Sequence, residues 1–514
     1  HILNFFGGFE NSSIDRTRSW FRGWGYQYDK GGTPFYDYNV FKQGKEENTN
    51  YYTNEAANTR SVAFFVMGTY SYEGKYTLTG TGRYEGTNRL GKSRSARWLP
   101  TWNIAGAWNV HEEKFYSNFS HPVLSHATLK ASYSLTADRG PAFVTNSQTI
   151  LNSYSPWRPS ASVTESGMRI TELENSELTY EKKHEFNVGV DLGFLHNRIN
   201  LAADYYRRNN FDLIGVINTQ GAGGTIAKYA NIASMRSSGI ELTLSTQNIK
   251  KKGFSWNTDF IFSKTKNEIT DLKSHANVLD LISGNGFGRE GYPVRALFSI
   301  PFAGLTEDGL PTFINQDGQR TISTLNFQEY EKLGFLKYEG PTDPTITGSF
   351  GNILTYKNFK LNVFLTYSFG NVIRLDPVFS SAYSDLDAMP KEFKNRWMKA
   401  GDENTTNIPT IVSYRMNQQY AYLNMAYNAY NYSDVRIADG GFIRLKEISL
   451  SYDLPAKVLN FFRLNKLQFK IQATNLFLLY ADSKLNGQDP EFFRSGGVST
   501  PVPRQFTFTI RLGL

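Results

Sequence analysis

The sequence predicts an all-β fold, the wall of a transmembrane antiparallel β-barrel with about fourteen strands in this chain. Three observations predict it. Apolar residues recur at every second position through segments of ten residues or more. Tight turns and long polar stretches alternate between those segments. Aromatic residues make up 15% of the chain and gather at segment ends.

The two-residue period is clearest in the last segment. Phe506, Phe508, Ile510, Leu512 and Leu514 fall on one face, opposite Gln505, Thr507, Thr509, Arg511 and Gly513. Successive strand side chains point to opposite faces, so this is one apolar and one polar face. Leu467, Phe469, Ile471 and Ala473 repeat the pattern, as do Phe359, Leu361, Val363, Leu365, Tyr367 and Phe369. Phe186, Val188, Val190, Leu192 and Phe194 repeat it again, and Phe254, Trp256, Phe260 and Phe262 oppose Ser255, Asn257 and Asp259. A soluble sandwich also alternates. Strand length, full charges on the polar face, and Trp98 and Trp108 bounding one strand favour a membrane wall.

Composition agrees. No stretch of 18 apolar residues is present, which excludes a helical membrane protein. The mean hydropathy of −0.44 fits strands that are apolar on one face only. Cysteine is absent, as suits an oxidising compartment. The net charge is +8, but 55 basic residues interleave with 47 acidic ones, so no nucleic-acid-binding face is expected. The excess fits attraction to lipid phosphates or acidic cargo as well as ordinary surface charge.

The expected strands are about 2–10, 61–73, 75–86, 98–110, 127–138, 181–195, 197–214, 235–249, 254–269, 346–356, 359–371, 441–454, 465–480 and 504–514. Tight connections are expected at Glu73-Gly74, Leu195–Asn197, Lys251–Gly253 and Lys357-Asn358. Long polar segments lie at about 11–60, 139–180, 218–234, 270–345, 372–440 and 481–503. Short turns are periplasmic and long loops extracellular in bacterial barrels, which places the C-terminus in the periplasm. A candidate strand at 292–303 upsets the even count unless it pairs within 308–345 or belongs to an extracellular excursion. Residues 1–514 read as a single domain.

Specific wording then resembles the SusC/RagA family of TonB-dependent transporters. In residues 175–214, Tyr180, Glu181 and Lys182 open one strand, and Tyr205, Tyr206 and Arg207 lead to Asp212 and Leu213. Similar passages follow the family order at 74–91, 98–115, 129–138, 231–244, 302–313, 396–410, 440–458, 474–480 and 489–493. The resemblance implies a 22-stranded barrel whose plug domain and remaining strands are not in this chain. It also implies active import of glycans or peptides across the outer membrane of a Gram-negative bacterium. A SusD-like surface lipoprotein would act over the loops, and the TonB complex would act through the N-terminal part. The chain opens on His1 with no export signal, so residue 1 is expected not to begin the gene product.

Site expectations are modest. No G-x-S-x-G elbow is present, and His121 and His126 lack a regular metal spacing, so no catalytic, cofactor or metal site is expected. Trp20, Trp24, Tyr26 and Tyr28 form an aromatic cluster in the first outer loop, suited to substrate stacking, loop packing or contact with a lid protein. Glu185, Asp191, Asp204, Glu241, Asp259 and Arg511 fall on the polar face, as plug contacts by resemblance or as hydrated lumen charges. A passive channel closed by these strands alone and a docking platform are the competing readings.

Overall fold

The structure is a computed structural model. It describes residues 1–513 apart from 24–25, 28, 30, 35–36, 48, 50–51, 119–122, 142–143, 145–148, 155–165, 220, 222–226, 379–389, 420–422 and 494–500. One fourteen-stranded sheet dominates, with strands in chain order and every neighbouring pair antiparallel. The strands are β1 (Ile2–Phe21), β2 (Tyr52–Tyr72), β3 (Tyr76–Thr87), β4 (Trp98–Asn109), β5 (Leu124–Asp138), β6 (Glu181–Phe194) and β7 (Ile199–Asn218). They continue as β8 (Ala227–Lys251), β9 (Phe254–Leu272), β10 (Ile346–Tyr356), β11 (Phe359–Phe369), β12 (Phe442–Asp453), β13 (Lys466–Ala481) and β14 (Gln505–Gly513). All fourteen expected strands are present.

Register carries one apolar face across the whole sheet. Tyr70, Leu78 and Gly106 are successive partners, as are Val188, Tyr205 and Ile240 in their ladder, and Ile471 faces Phe508 at the other edge. A one-residue slip at any pair would flip every side chain beyond it, so alternation and register fix each other. The four tight turns fall where expected. Backbones in the left-handed region close them, at Glu73 and Gly74, Leu195 to Asn197, Gly253, and Lys357.

Aromatics border the apolar face at the turn end. Tyr72, Tyr76 and Trp108 stack in sequence, and Phe359 packs on Tyr452 with ring centres 4.5 Å apart. A second border lies eight residues up the strands, from Tyr76 to Tyr84, Phe194 to Phe186 and Phe359 to Tyr367. At about 3.3 Å per residue that is about 26 Å of strand, enough to cover most of an apolar band about 25 Å tall.

Several strands run past that band, and here the sequence reading is corrected. β1 continues to Phe21 and β2 begins at Tyr52, so much of the expected loop 11–60 is paired strand. β8 begins at Ala227 rather than 235, and its 25 residues rise about 80 Å at the standard spacing. The segment around 292–303 adds no wall strand. Ala296–Ser299 pairs with Lys337–Pro341, and Phe302–Leu305 pairs with Pro311–Ile314, in small sheets outside the wall. β1 and β14 each have a single neighbour among the described residues, so the sheet is not closed.

A charge on the apolar face should therefore be far costlier than one beside it on the polar face. Ile104→Arg is expected to cost about 2–4 kcal/mol and to reduce the heat-modifiable, membrane-assembled fraction. Asn103→Arg, one residue away on the polar face, should leave that fraction near wild type. Equal losses in a urea titration of the two variants would contradict the assignment of faces.

Candidate functional site

The loop end of the wall carries a folded cap built from the described residues of 273–345 and 370–441. Leu281, Ile282, Phe298, Ile300, Phe313, Val378 and Tyr430 are buried together in its core. The short helix Val278–Ile282 starts on a reciprocal cap between Asn277 and Asp280. The helix Leu423–Asn431 buries Leu423, Ala426, Tyr427 and Tyr430 on one side. Asn315 accepts from the Asp317 and Gln319 amides and tightens the turn between two cap strands. Two loops of polar composition thus acquire a hydrophobic core of their own.

Buried arginines lock the cap together and fasten the outer loop before β14 to the wall. Arg374 donates to the Phe298 carbonyl at 2.6 Å, to Ser299 Oγ at 3.1 Å and to the Ser433 carbonyl at 3.0 Å. It ties three chain segments far apart in sequence. Burial pulls its pKa down to about 10, with the carboxylate of Glu339 opposing the shift, so it stays charged at neutral pH. Arg436 pairs with Glu392 and donates to the Asp376 carbonyl at 2.6 Å. Arg444 on β12 bridges both oxygens of Asp489 at 2.6 and 2.7 Å and also meets Glu491 at 3.1 Å. The Arg444 and Asp489 side chains are 5% and 7% exposed, so each is costly to bury without the other.

The passages that carry the sequence resemblance touch one another in pairs. Gly309, at φ +74, lies under the Trp397 ring, where a Cβ would stand 2.5 Å from a ring carbon. The Gly309 carbonyl also accepts from the Thr410 amide at 3.0 Å. Asn231 exchanges hydrogen bonds with the backbone of Thr179, 2.9 Å each way. The Gly91 amide donates to the Leu178 carbonyl at 2.8 Å. Arg444 and Asp489 complete the set. The passages that carry the resemblance are thus points where distant segments are fastened.

The six charges read from the sequence all fall on the face opposite the apolar one. Glu185 pairs with Arg208 at 3.0 Å and Lys183 at 2.8 Å, and Asp191 pairs with Lys130 at 2.7 Å. Asp259 accepts from Ser245 at 2.7 Å. Asp204 lies directly opposite Glu241, and Arg511 opposite Gln468. Among the described residues these last three charges make no ion pair. Sequence reasoning missed the partners Lys130, Lys183 and Arg208. It also missed the network of Arg83 with Glu10 and Glu85, which Arg139 extends through Glu85. Same-face ladder neighbours were the available signal for Arg208, which lies opposite Glu185.

The aromatic cluster is divided. Trp20 lies at the end of β1, with the Arg22 guanidinium 5.9 Å from its ring centre, and Tyr26 lies in a two-residue strand, Tyr26–Gln27. Trp24 and Tyr28 fall outside the described residues. Among the clefts near the loop end, two carry several charged groups from more than one segment. One of about 600 Å³ is lined by Glu392, Arg396, Asp402, Asn407, Arg436 and Lys484. The other, about 480 Å³, is lined by Arg83, Glu85, Arg89, Arg139 and Tyr180.

Residues 3–476 match the family described as TonB dependent receptor-like, beta-barrel. The chain belongs to that family. This TonB-dependent-receptor barrel is 26% identical over 489 residues to the TonB-dependent receptor SusC of Bacteroides thetaiotaomicron, covering 88% of this chain and 42% of that protein. A TonB-dependent receptor of Formosa agariphila is 25% identical over 463 residues, covering 86% and 42%. In fold it is similar to the structure of the RagAB peptide transporter, with TM-score 0.76 and 20% identity over 100% of this chain and 53% of that one. The chain spans about half the length of the curated relatives it matches. As a member of this family, the barrel is an outer-membrane barrel.

The Arg444–Asp489 pair makes a direct prediction for this TonB-dependent-receptor barrel. Arg444→Ala should cost about 3–5 kcal/mol by leaving a buried carboxylate unpaired. Limited proteolysis of outer-membrane preparations should then cut within 482–493, where the wild type resists. Unchanged protection would show that the pair does not hold this loop.

Proposed function

We propose that this chain forms part of the barrel wall and the outer cap of an energised importer of glycans or peptides. The observation that carries the reading is a fourteen-stranded antiparallel sheet with one continuous apolar face, in a chain of the TonB-dependent-receptor barrel family. A SusD-like surface lipoprotein closes over the cap, and the TonB complex acts on a plug inside the barrel. Further strands pair with the edges β1 and β14 to complete the wall. The unclosed sheet favours this over a passive channel of fourteen strands.

In this reading the cap faces the cell exterior and the C-terminus the periplasm. The plug supplies partners for Asp204, Glu241 and Arg511, while Glu185, Asp191 and Asp259 keep their partners within the wall. Trp20 and Tyr26 meet cargo or the lipoprotein. Two kinds of cargo are compatible, glycans by the SusC/RagA resemblance and peptides by the same resemblance and the likeness to the RagAB peptide transporter, and the clefts carry charges of both signs.

The test joins topology to transport, using cysteine substitutions in a chain that has none. Tyr330→Cys in the cap should react with an impermeant thiol reagent on intact cells, and Lys252→Cys at a tight turn only after permeabilisation. Uptake of the cargo oligomer should fall to background when TonB is removed. Uptake that persists without TonB would contradict energised import, and reversed labelling would contradict the orientation.

A further inference from the structure

The apolar face does not end in the same way around the sheet. On β3, β4 and β11 its loop-end border is aromatic, at Tyr84, Trp102 and Tyr367. On β7, β8 and β9 it is basic. Directly above Tyr205, Ile240 and Phe262, the same outward face carries Arg207, Arg236, Lys264 and Lys266. Ser238 lies between Arg207 on one neighbouring strand and Lys266 on the other, and Lys264 is paired with Ile240. Strands are about 4.8 Å apart, so these cations share a patch about 10 Å wide.

All four cations are exposed. One acid, Glu268, shares this face of the patch, 3.6 Å from Lys266 Nζ and opposite Arg236 in the ladder. Asn209, which accepts from Arg236 Nε at 3.3 Å, and Ser238 add neutral hydrogen-bonding groups. Elsewhere the chain interleaves its charges, and an ordinary solvated face would do the same. Here Lys264 lies level with Tyr205 in the ladder, Arg207 and Lys266 two residues above it and Arg236 four, a span of about 13 Å along the strands. That is headgroup depth. Guanidinium groups bind phosphate oxygens through paired hydrogen bonds, and ammonium groups bind them as point charges.

We propose that Arg207, Arg236, Lys264 and Lys266 form a docking patch for the phosphates of outer-leaflet glycolipid. The patch is continuous with the lipid-facing surface, and its charge is complementary to a phosphorylated headgroup. The site would hold an annular lipid in place beside the strands that carry much of the cap. The leaflet assignment rests on the proposed orientation of the cap, which the cysteine labelling above tests separately.

The experiment compares wild-type protein, purified from outer membranes in mild detergent, with the variant R207Q/R236Q/K264Q/K266Q. Heat-modifiable mobility confirms that both are assembled. Co-purified lipid is then identified by mass spectrometry and quantified as phosphorus per protein at low and high salt. The wild type should retain phosphorylated glycolipid at low salt and release it at high salt, because exposed charges are screened. The variant should retain at least threefold less, while Lys252→Gln at a tight turn should match the wild type. Equal retention by the fourfold variant would overturn the proposal. So would recovery of glycerophospholipid alone, or loss of a bound protein with lipid content unchanged.

Discussion

A backbone amide or carbonyl inside a bilayer has no water to bond, and the rest of this structure depends on that constraint. Each strand must give its hydrogen bonds to a neighbour, so the membrane part of the chain is one continuous sheet. Antiparallel neighbours need short connections at one end, which the left-handed backbones at Glu73, Asn197, Gly253 and Lys357 provide. With pairing fixed, alternate side chains must face hydrocarbon, and Leu78, Ile104, Val188 and Leu450 do so. The opposite face is released from that demand. It collects Glu185, Arg208, Lys130 and Asp191 in ion pairs that a lipid-facing surface would not tolerate.

Above the membrane the problem changes. Water satisfies the backbone there, and the cap must supply its own reason to fold. It does so with a small apolar core around Phe298, Phe313 and Tyr430 and with arginines whose partners come from several loops. An arginine is suited to this because its planar group donates in several directions at once. Arg374 reaches two cap segments beyond its own, and Arg444 joins β12 to the loop before β14. The cap segments are thereby joined to one another, and the loop before β14 is held on a wall whose strands continue well beyond the apolar band.

Much of the wall was legible from sequence because the signal and the physical demand coincide. Phe359 to Phe369 alternates because one face meets lipid, and the turn at Lys357 follows from the strand pair it joins. Legibility faded where that demand ceased. β1 runs to Phe21 and β8 starts at Ala227 in stretches where both faces are wet and alternation carries no penalty. The polar-face charges could be assigned to a side, but not to partners, since Lys130 meets Asp191 across 61 positions of sequence. The cap was read only as loops, because Arg374 finds Phe298 and Ser299 by tertiary contact that no local pattern encodes. The passages that resemble the family were visible in the sequence, but their pairing in space, as of Gly309 with Trp397 and Arg444 with Asp489, was not.

The central claim is that this sheet crosses a bilayer with its alternating apolar face on lipid. Spin labels at single cysteines introduced along β11, from Phe359 to Phe369, test it most directly in outer-membrane vesicles. Oxygen accessibility should oscillate with a period of two, with maxima at 359, 361, 363, 365 and 367 and minima at 360, 362, 364 and 366. A flat profile, or maxima at Lys360 and Asn362, would contradict the account.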